Sequence, residues 1–458
     1  MNKCPISFNR RPLGPRVGAG HVAKAARGAR FSDAPTRGPL ARRLNNFSRR
    51  TFLGSVGAAG ILSLARPLQA VDLQKQQKRV LLVFQHGGLS QLESWDPKPN
   101  TDTGGPFRPI STSQPGTQVC ELLPHTARQM HHLSLLRGLN TGDNNHDTAR
   151  VTMLTGWRQG MFGGQYPSMG AVCSKLLSAQ RPQPAFVVLA QRDQWHLKPL
   201  LDASYLGPDC APIVSFDEQP PDHAVPLPDM SDTRTARRRS VREQLNREFA
   251  RGRTSAEVAA YESAFERARQ LIAQRKLFDV STESRKDQQR YGTHAFGKRC
   301  LIARRLLESD TTFVKLNHGN YDTHFENFNH HLHRLEEFDR PFAALVEDLA
   351  DRGLLDSTLV IVTGEFGRTP KLNSSIGRDH WSTAWSIALG GCGIKPGVIH
   401  GATNANGTEV TDGQIGFAHL FQTFYSALGI DPHYDLQNGD QPLKMFEEGG
   451  APVKEVLS

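Results

Sequence analysis

Four segments of this chain place histidine, carboxylate and arginine side chains at the ends of apolar runs. Val80 to Phe84 leads to His86, and Asn140 to Gly156 carries His146, Asp147, Thr148 and Arg150. Thr311 to Leu316 leads to His318, Asp322 and His324. Leu359 to Val362 leads to Glu365 and Arg368, with Arg378, Asp379 and His380 shortly beyond. Imidazole with carboxylate suits zinc, manganese or iron, and carboxylate with carbonyl suits calcium or magnesium. Such an ion polarises a phosphoryl or sulfuryl oxygen and activates an attacking hydroxyl or water. Arg150, Arg368 and Arg378 could then fork an oxyanion. Plainer readings stand beside these: Asp322 capping a helix near Phe325, Glu365 pairing with Arg368, and His146 with Asp147 organising an Asn-rich turn. His330, His331 and His333 have no i, i+4 pair among them and read as surface positions of a helix.

Each of the four segments couples a β-branched or apolar run to a polar loop, so the loops belong at the carboxyl edge of a parallel sheet, where α/β proteins hold ligands. Val80–Phe84, Ala185–Leu189, Thr311–Leu316, Thr358–Val362 and Ser386–Leu389 read as strands. Helices are expected over Glu121–Leu133, from Asp147 or Thr148 to near Gly156, and over Tyr166–Leu177, Arg285–Leu307, Glu326–Arg352 and Phe417–Leu428. Residues 191–230 read as irregular. Arg234–Arg275 reads as a charged helical insertion, because acids interleave with its arginines. Strands alternating with helices imply an α/β fold with a mainly parallel sheet sandwiched by helices.

The formal charge of +10 suggests nucleic acid until its location is considered. Residues 1–70 hold thirteen Lys/Arg and one acid, Asp33, leaving a net charge of −2 for the rest. The main body therefore has no electrostatic case for DNA or RNA. Residues 1–47 read as a disordered basic extension. Ser48-Arg49-Arg50-Thr51-Phe52-Leu53 resembles the twin-arginine export motif, and the uncharged stretch after it resembles a mild signal core, so 48–70 is expected to be a signal peptide cleaved after Ala70. That stretch is short for a spanning helix, and no stable membrane span is expected in the mature chain. Cys120, Cys173, Cys210, Cys300 and Cys392 lack CxxC spacing, which argues against a structural zinc site and a disulfide framework.

The signatures GGLSQLESWDPKPN, CELLP, the HD-containing loop before MLTG, NYDTHFENF, GEFGRTPKLN, GRDHW and YSALGIDP resemble those of a large bacterial family, domain of unknown function 1501. Its members are typically exported by the twin-arginine route and are grouped with the alkaline phosphatase and sulfatase superfamily. The resemblance spans about 79–458 and implies one alkaline phosphatase/sulfatase-like domain carrying the helical insertion at about 230–280. It also implies a periplasmic or extracellular hydrolase of a sulfate or phosphate ester, acting on an anionic ester or glycan, with the export machinery as a partner. Zinc, calcium, magnesium or manganese would be held by Asp322, His324, Glu365, Asp379 and His380. His146, Asp147 or Thr148 would stand at the attacking position, Arg150 on the oxyanion, and His86, Arg368 and Arg378 on the substrate. HDTARVTMLTG is similar to the sulfatase motif CxPSRxxLLTG, but it puts His146 where the superfamily has its nucleophile, so formylglycine chemistry is not implied. The alternative is a catalytically inactive fold that binds a glycan or a partner in the envelope.

Overall fold

The computed structural model describes residues 72–158, 166–178, 184–192, 203–221, 231–251, 265–266, 268–270 and 272–458. The chain divides into two units, Met1–Gly60 and Ile61–Ser458, and every described residue belongs to the second. The extension 1–47, the signal segment 48–70 and part of the charged insertion, 252–264, lie outside the described residues.

Apolar runs that would bury both faces of a strand do so here. Eight strands form one sheet: β1 (Arg79–Gln85), β2 (Leu133–Leu139), β3 (Phe186–Ala190), β4 (Ile213–Phe216), β5 (Phe313–His318), β6 (Thr358–Thr363), β7 (Trp385–Gly391) and β8 (Ile399–His400). Their order is β8-β2-β7-β6-β1-β5-β3-β4. β1 lies inside the sheet in parallel register with β5 and β6, Val80 facing Phe313 on one side and Leu359 on the other. Within this sheet β7 alone runs against its neighbours. The ends of β1, β2, β5 and β6 therefore share one edge, and the four polar segments are the loops that leave it.

Alternation along β1 assigns the two faces. Leu82 and Phe84 join one apolar cluster with Met153 and Leu154 of α1 (His146–Thr155), Val172 of α2 (Met169–Leu177) and Phe421 of α6 (Phe417–Ala427). Leu81 and Val83 join a second with Leu301 of α4 (Ala295–Glu308) and Leu345 of α5 (Asn327–Asp351). Each such Leu or Val contributes roughly 1.5–3 kcal/mol by leaving water. The charged helix α3 (Asp232–Ala250) is exposed along most of its length, with Ser231 capping Arg234 N. Among the described residues no helix is long and apolar enough to cross a membrane.

The expected α/β architecture is observed, with local departures. The helix expected over Glu121–Leu133 reduces to Pro124–Ala127 and a 3-10 turn at Met130–His132, because Pro124 opens a new first turn and the chain leaves helical geometry at Gln129. The helix expected over Arg285–Leu307 is broken between Tyr291 and Ala295, with the His294 side chain capping the second piece. Residues 191–230, expected to be irregular, contain the edge strand β4. The cap of α1 is Asn145, not Asp147 or Thr148. His331 is fully buried, not on the surface: its Nε2 accepts from Ser90 N at 3.1 Å and its Nδ1 donates to the Asn327 carbonyl at 2.9 Å. The five cysteines after the leader are all buried.

Candidate metal centre

The loop after β1 must pass under the loop after β5, and only glycine allows it. Gly87 has φ +102°, and a Cβ there would lie 2.6 Å from Asp322 N. Its N–H donates to Glu365 Oε1 at 3.0 Å and its carbonyl accepts from Arg368, so one residue ties three of the four segments. The fourth is set by Asn145, whose side chain accepts from Asp147 N and Thr148 N and starts α1 with His146 in its first turn. Gly156, at φ +77°, ends the same helix in the left-handed conformation that favours glycine.

Three imidazoles converge on one carboxylate at this edge. His324 Nε2 and His380 Nε2 lie 3.1 and 3.2 Å from Asp322 Oδ1, and His146 Nε2 lies 3.3 Å from Asp322 Oδ2. The His324 and His380 Nε2 atoms are themselves 3.0 Å apart. Each ring is tethered through its other nitrogen: His146 Nδ1 to Glu365 Oε1, His324 Nδ1 to Asp379 Oδ1 and His380 Nδ1 to the Asn144 carbonyl, each at 2.7 Å. Those partners only accept, so each Nδ1 carries the hydrogen and, in the neutral ring, each Nε2 presents a lone pair. Three lone pairs and a carboxylate then face one another, an arrangement that repels itself unless a metal ion or a proton lies between them. His146 Nε2 is buried without a hydrogen-bond partner, which fits that reading. His146, Asp322 and His380 each offer a ligand atom within 4.8 Å of the others.

The electrostatics agree. Burial works against charge on His146, but the neighbouring carboxylates of Asp322 and Glu365 outweigh it and lift the ring to about 9, so without a metal a proton takes the position facing Asp322. Burial would raise Asp322, yet the neighbouring His146, His380 and Arg368 hold it far below the carboxylate range. Glu365, with no exposed surface, is likewise held low against burial by His146 and His86. Its Oε2 is buried without a partner.

The structure brings together His86, His146, Asp147, Arg150, Asp322, His324, Glu365, Arg368, Asp379 and His380. Glu365 and Asp379, expected as ligands, stand behind the imidazoles and orient them. Arg150 donates to the His146 carbonyl at 2.9 Å, to His86 Nε2 at 2.8 Å and to Asp147, which is itself 83% exposed. Arg368 is wholly buried and spends its donors on the carbonyls of Gly87, Gly88 and Arg378 and on Asp322 at 2.6 Å. Arg378 is not brought to the cluster: it is buried against Glu93 Oε1 at 2.8 Å and the carbonyls of Thr103, Thr369 and Pro370. Thr148 lies beside the cluster, on the wall of a cleft of about 460 Å³ that Glu365 also lines. Sequence reasoning missed Asn144 and Asn373. The Asn373 amide donates to Asp379 Oδ1 at 3.2 Å and to the His324 carbonyl at 2.9 Å, and its place in the GRTPKLN stretch was the available signal.

A family model described as "Protein of unknown function (DUF1501)" matches residues 77–457. No curated protein matches the chain. Among solved structures, the PsFucS1 sulfatase from Pseudoalteromonas sp. is similar at 14% identity, over 80% of this chain and 72% of that one, with a TM-score of 0.37. The lipoteichoic acid synthase LtaP from Listeria monocytogenes is similar at 11% identity, over 81% and 75%, with a TM-score of 0.37. An alkaline phosphatase from the Antarctic bacterium TAB5 is similar at 12% identity, over 70% and 93%, with a TM-score of 0.32. Likenesses this loose carry nothing about chemistry or substrate.

Proposed function

The chain belongs to the DUF1501 family, and on that premise we propose that it is a metal-dependent hydrolase of a sulfate or phosphate ester. The observation that supports this most directly is the ring of three imidazole Nε2 atoms around Asp322, each ring locked by an outward Nδ1–H. Imidazole-rich donor sets suit zinc better than calcium, magnesium or manganese. A divalent ion bound there would act as a Lewis acid toward an ester oxygen and increase the acidity of water. The side chains do the rest. Glu365, Asp379 and Asn144 fix the rings in the tautomer that offers Nε2. Arg368 keeps Asp322 ionised, and Arg150 holds His146 and His86 in place. The Asp147 arm of Arg150 is exposed and exchangeable, so an ester oxyanion can take the place of that carboxylate.

Export by the twin-arginine route to the periplasm or beyond is part of this proposal and is supported by Ser48–Leu53. A rival reading, a binding protein without turnover, draws support from His146: it occupies the expected nucleophile position, yet both its nitrogens are committed to Glu365 and the ring.

The test uses the mature chain from Val71, purified without chelator, beside Asp322→Asn. Elemental analysis should find stoichiometric metal in the parent and little in the variant, and chelation should abolish hydrolysis across a panel of sulfate and phosphate esters. Full activity after chelation, or no metal in the parent, would sink the hydrolase reading. Bound metal with no turnover would favour the binding protein.

A further inference from the structure

The cleft beside the cluster is lined by Glu365, by Thr148, Thr152 and Met153 of α1, by Asp143 at its rim, and by Arg158 and Phe417. At about 460 Å³ it is large enough for a small organic ligand. Its polar groups differ from end to end. Next to the cluster lies the unpartnered, buried Oε2 of Glu365. Thr152 Oγ1 has its hydrogen on the Thr148 carbonyl at 3.1 Å, so its lone pairs are free to accept. Thr148 Oγ1 has only a long 3.4 Å contact, to the Asn145 carbonyl. The two threonine oxygens can accept from the hydroxyls of a ligand. Met153 and Phe417 supply apolar surface between them and the far end.

That far end is cationic. The Arg158 guanidinium lies 5.0 Å from the centre of the Phe417 ring and 3.4 Å from Glu447 Oε1, with its side chain 62% exposed. Trp157 beside it is buried and stacks on Tyr166 at 4.2 Å, so the backbone from which Arg158 projects is anchored. Acceptors for hydroxyls, an apolar strip for a C–H face and a cation at the opposite end from the ring describe a polyhydroxylated ring with two anionic substituents.

We infer that this cleft is a leaving-group subsite, and that it selects a sugar carrying a second anionic group, which Arg158 receives on Phe417 in exchange for Glu447. The inference rests on the hydrolase reading for the placing of the first anion at the metal centre. Arg158 is then a specificity-determining residue for a doubly charged saccharide ester.

The experiment compares glucose 6-phosphate with glucose 1,6-bisphosphate on the metal-loaded protein. It reads dissociation constants by calorimetry, or KM values if the esters are hydrolysed. The parent should prefer the bisphosphate by about tenfold, the scale of one added charge-assisted contact at a partly exposed site. In Arg158→Gln that ratio should fall to about twofold or less, and in Glu447→Gln, where the competing carboxylate is gone, it should widen. Equal affinity for the two esters in the parent, binding of neither, or a preference that survives Arg158→Gln would overturn the inference. The two readings fail separately. A preference without hydrolysis keeps the subsite and removes the hydrolase, whereas hydrolysis of both esters with equal KM removes the subsite alone.

Discussion

Arg378 and His380 are two residues apart, yet their side chains join clusters of opposite design. Arg378, Glu93 and His331 lie wholly buried, and their polar atoms find partners within the protein. Arg378 meets both Glu93 oxygens and three carbonyls, and His331 has a partner on each nitrogen. His146, Asp322, His324 and His380 use the same residue types, but their Nε2 lone pairs and carboxylate are aimed at a common point, and Asp322 is 44% exposed. The first cluster is complete as protein. The second leaves lone pairs and charge that a bound cation would answer. The contrast shows that unmet capacity, more than residue type or burial, marks a site, and three experiments can break or sharpen it.

The largest effect belongs to the self-sufficient cluster. Arg378→Met leaves Glu93 charged, buried and uncompensated, which should cost about 3–5 kcal/mol. A denaturant melt reads that loss as a lower midpoint, and whatever protein remains folded should keep its metal. A midpoint near the parent's would mean that Arg378 is dispensable to the fold and would reopen its candidacy as a substrate residue. The reverse signature is expected of Asp379→Asn, which acts on the orientation of His324 and on the Asn373 contact. Metal affinity should fall about 10–100-fold, as for other carboxylates behind a ligating histidine. Stability of the metal-free protein should move by no more than about 0.5 kcal/mol. A competition titration with a chelator measures the first, and a melt in excess chelator measures the second.

This contrast also explains what could be read from the sequence. The sheet was legible because Val80–Phe84 and Leu359–Val362 are apolar on both faces, which only a doubly covered strand requires. The convergence of four polar segments followed from their sharing one edge. Arg378 was not separable from Asp379 and His380 because GRDHW is one motif, and the division depends on Glu93, far away in sequence, lying under Arg378. His331 read as a surface position for the same reason: nothing near it in sequence shows that Ser90 N meets it. Glu365 and Asp379 lie at the cluster, but their standing behind the rings is a matter of which imidazole nitrogen faces inward. A backbone carbonyl such as that of Asn144 has no residue signature at all.

The smallest effects are those of pH, and their signs should oppose. His331 is depressed to about 4, chiefly by burial, against an unfolded value near 6.5. Between these values the unfolded chain binds the extra proton. The contribution of the neutral ring is therefore intact above pH 6.5 and is lost as pH falls through about 4. His318 is also depressed by burial to about 4 and adds to the same acid limb. His146 runs the other way in chelated protein: burial opposes its charge, but Asp322 and Glu365 raise it to about 9, so its contribution is intact below pH 6.5 and is lost as pH rises through about 9. Each group can tilt the stability curve by at most about 1.4 kcal/mol per pH unit. His331→Gln should flatten part of the acid limb and leave the basic limb alone, and His146→Gln should do the converse. Metal should suppress the basic limb specifically, because it replaces the proton at Nε2 of His146 but has no route to His331. If added metal altered both limbs equally, the two clusters would be one electrostatic unit, and the distinction between them would fail.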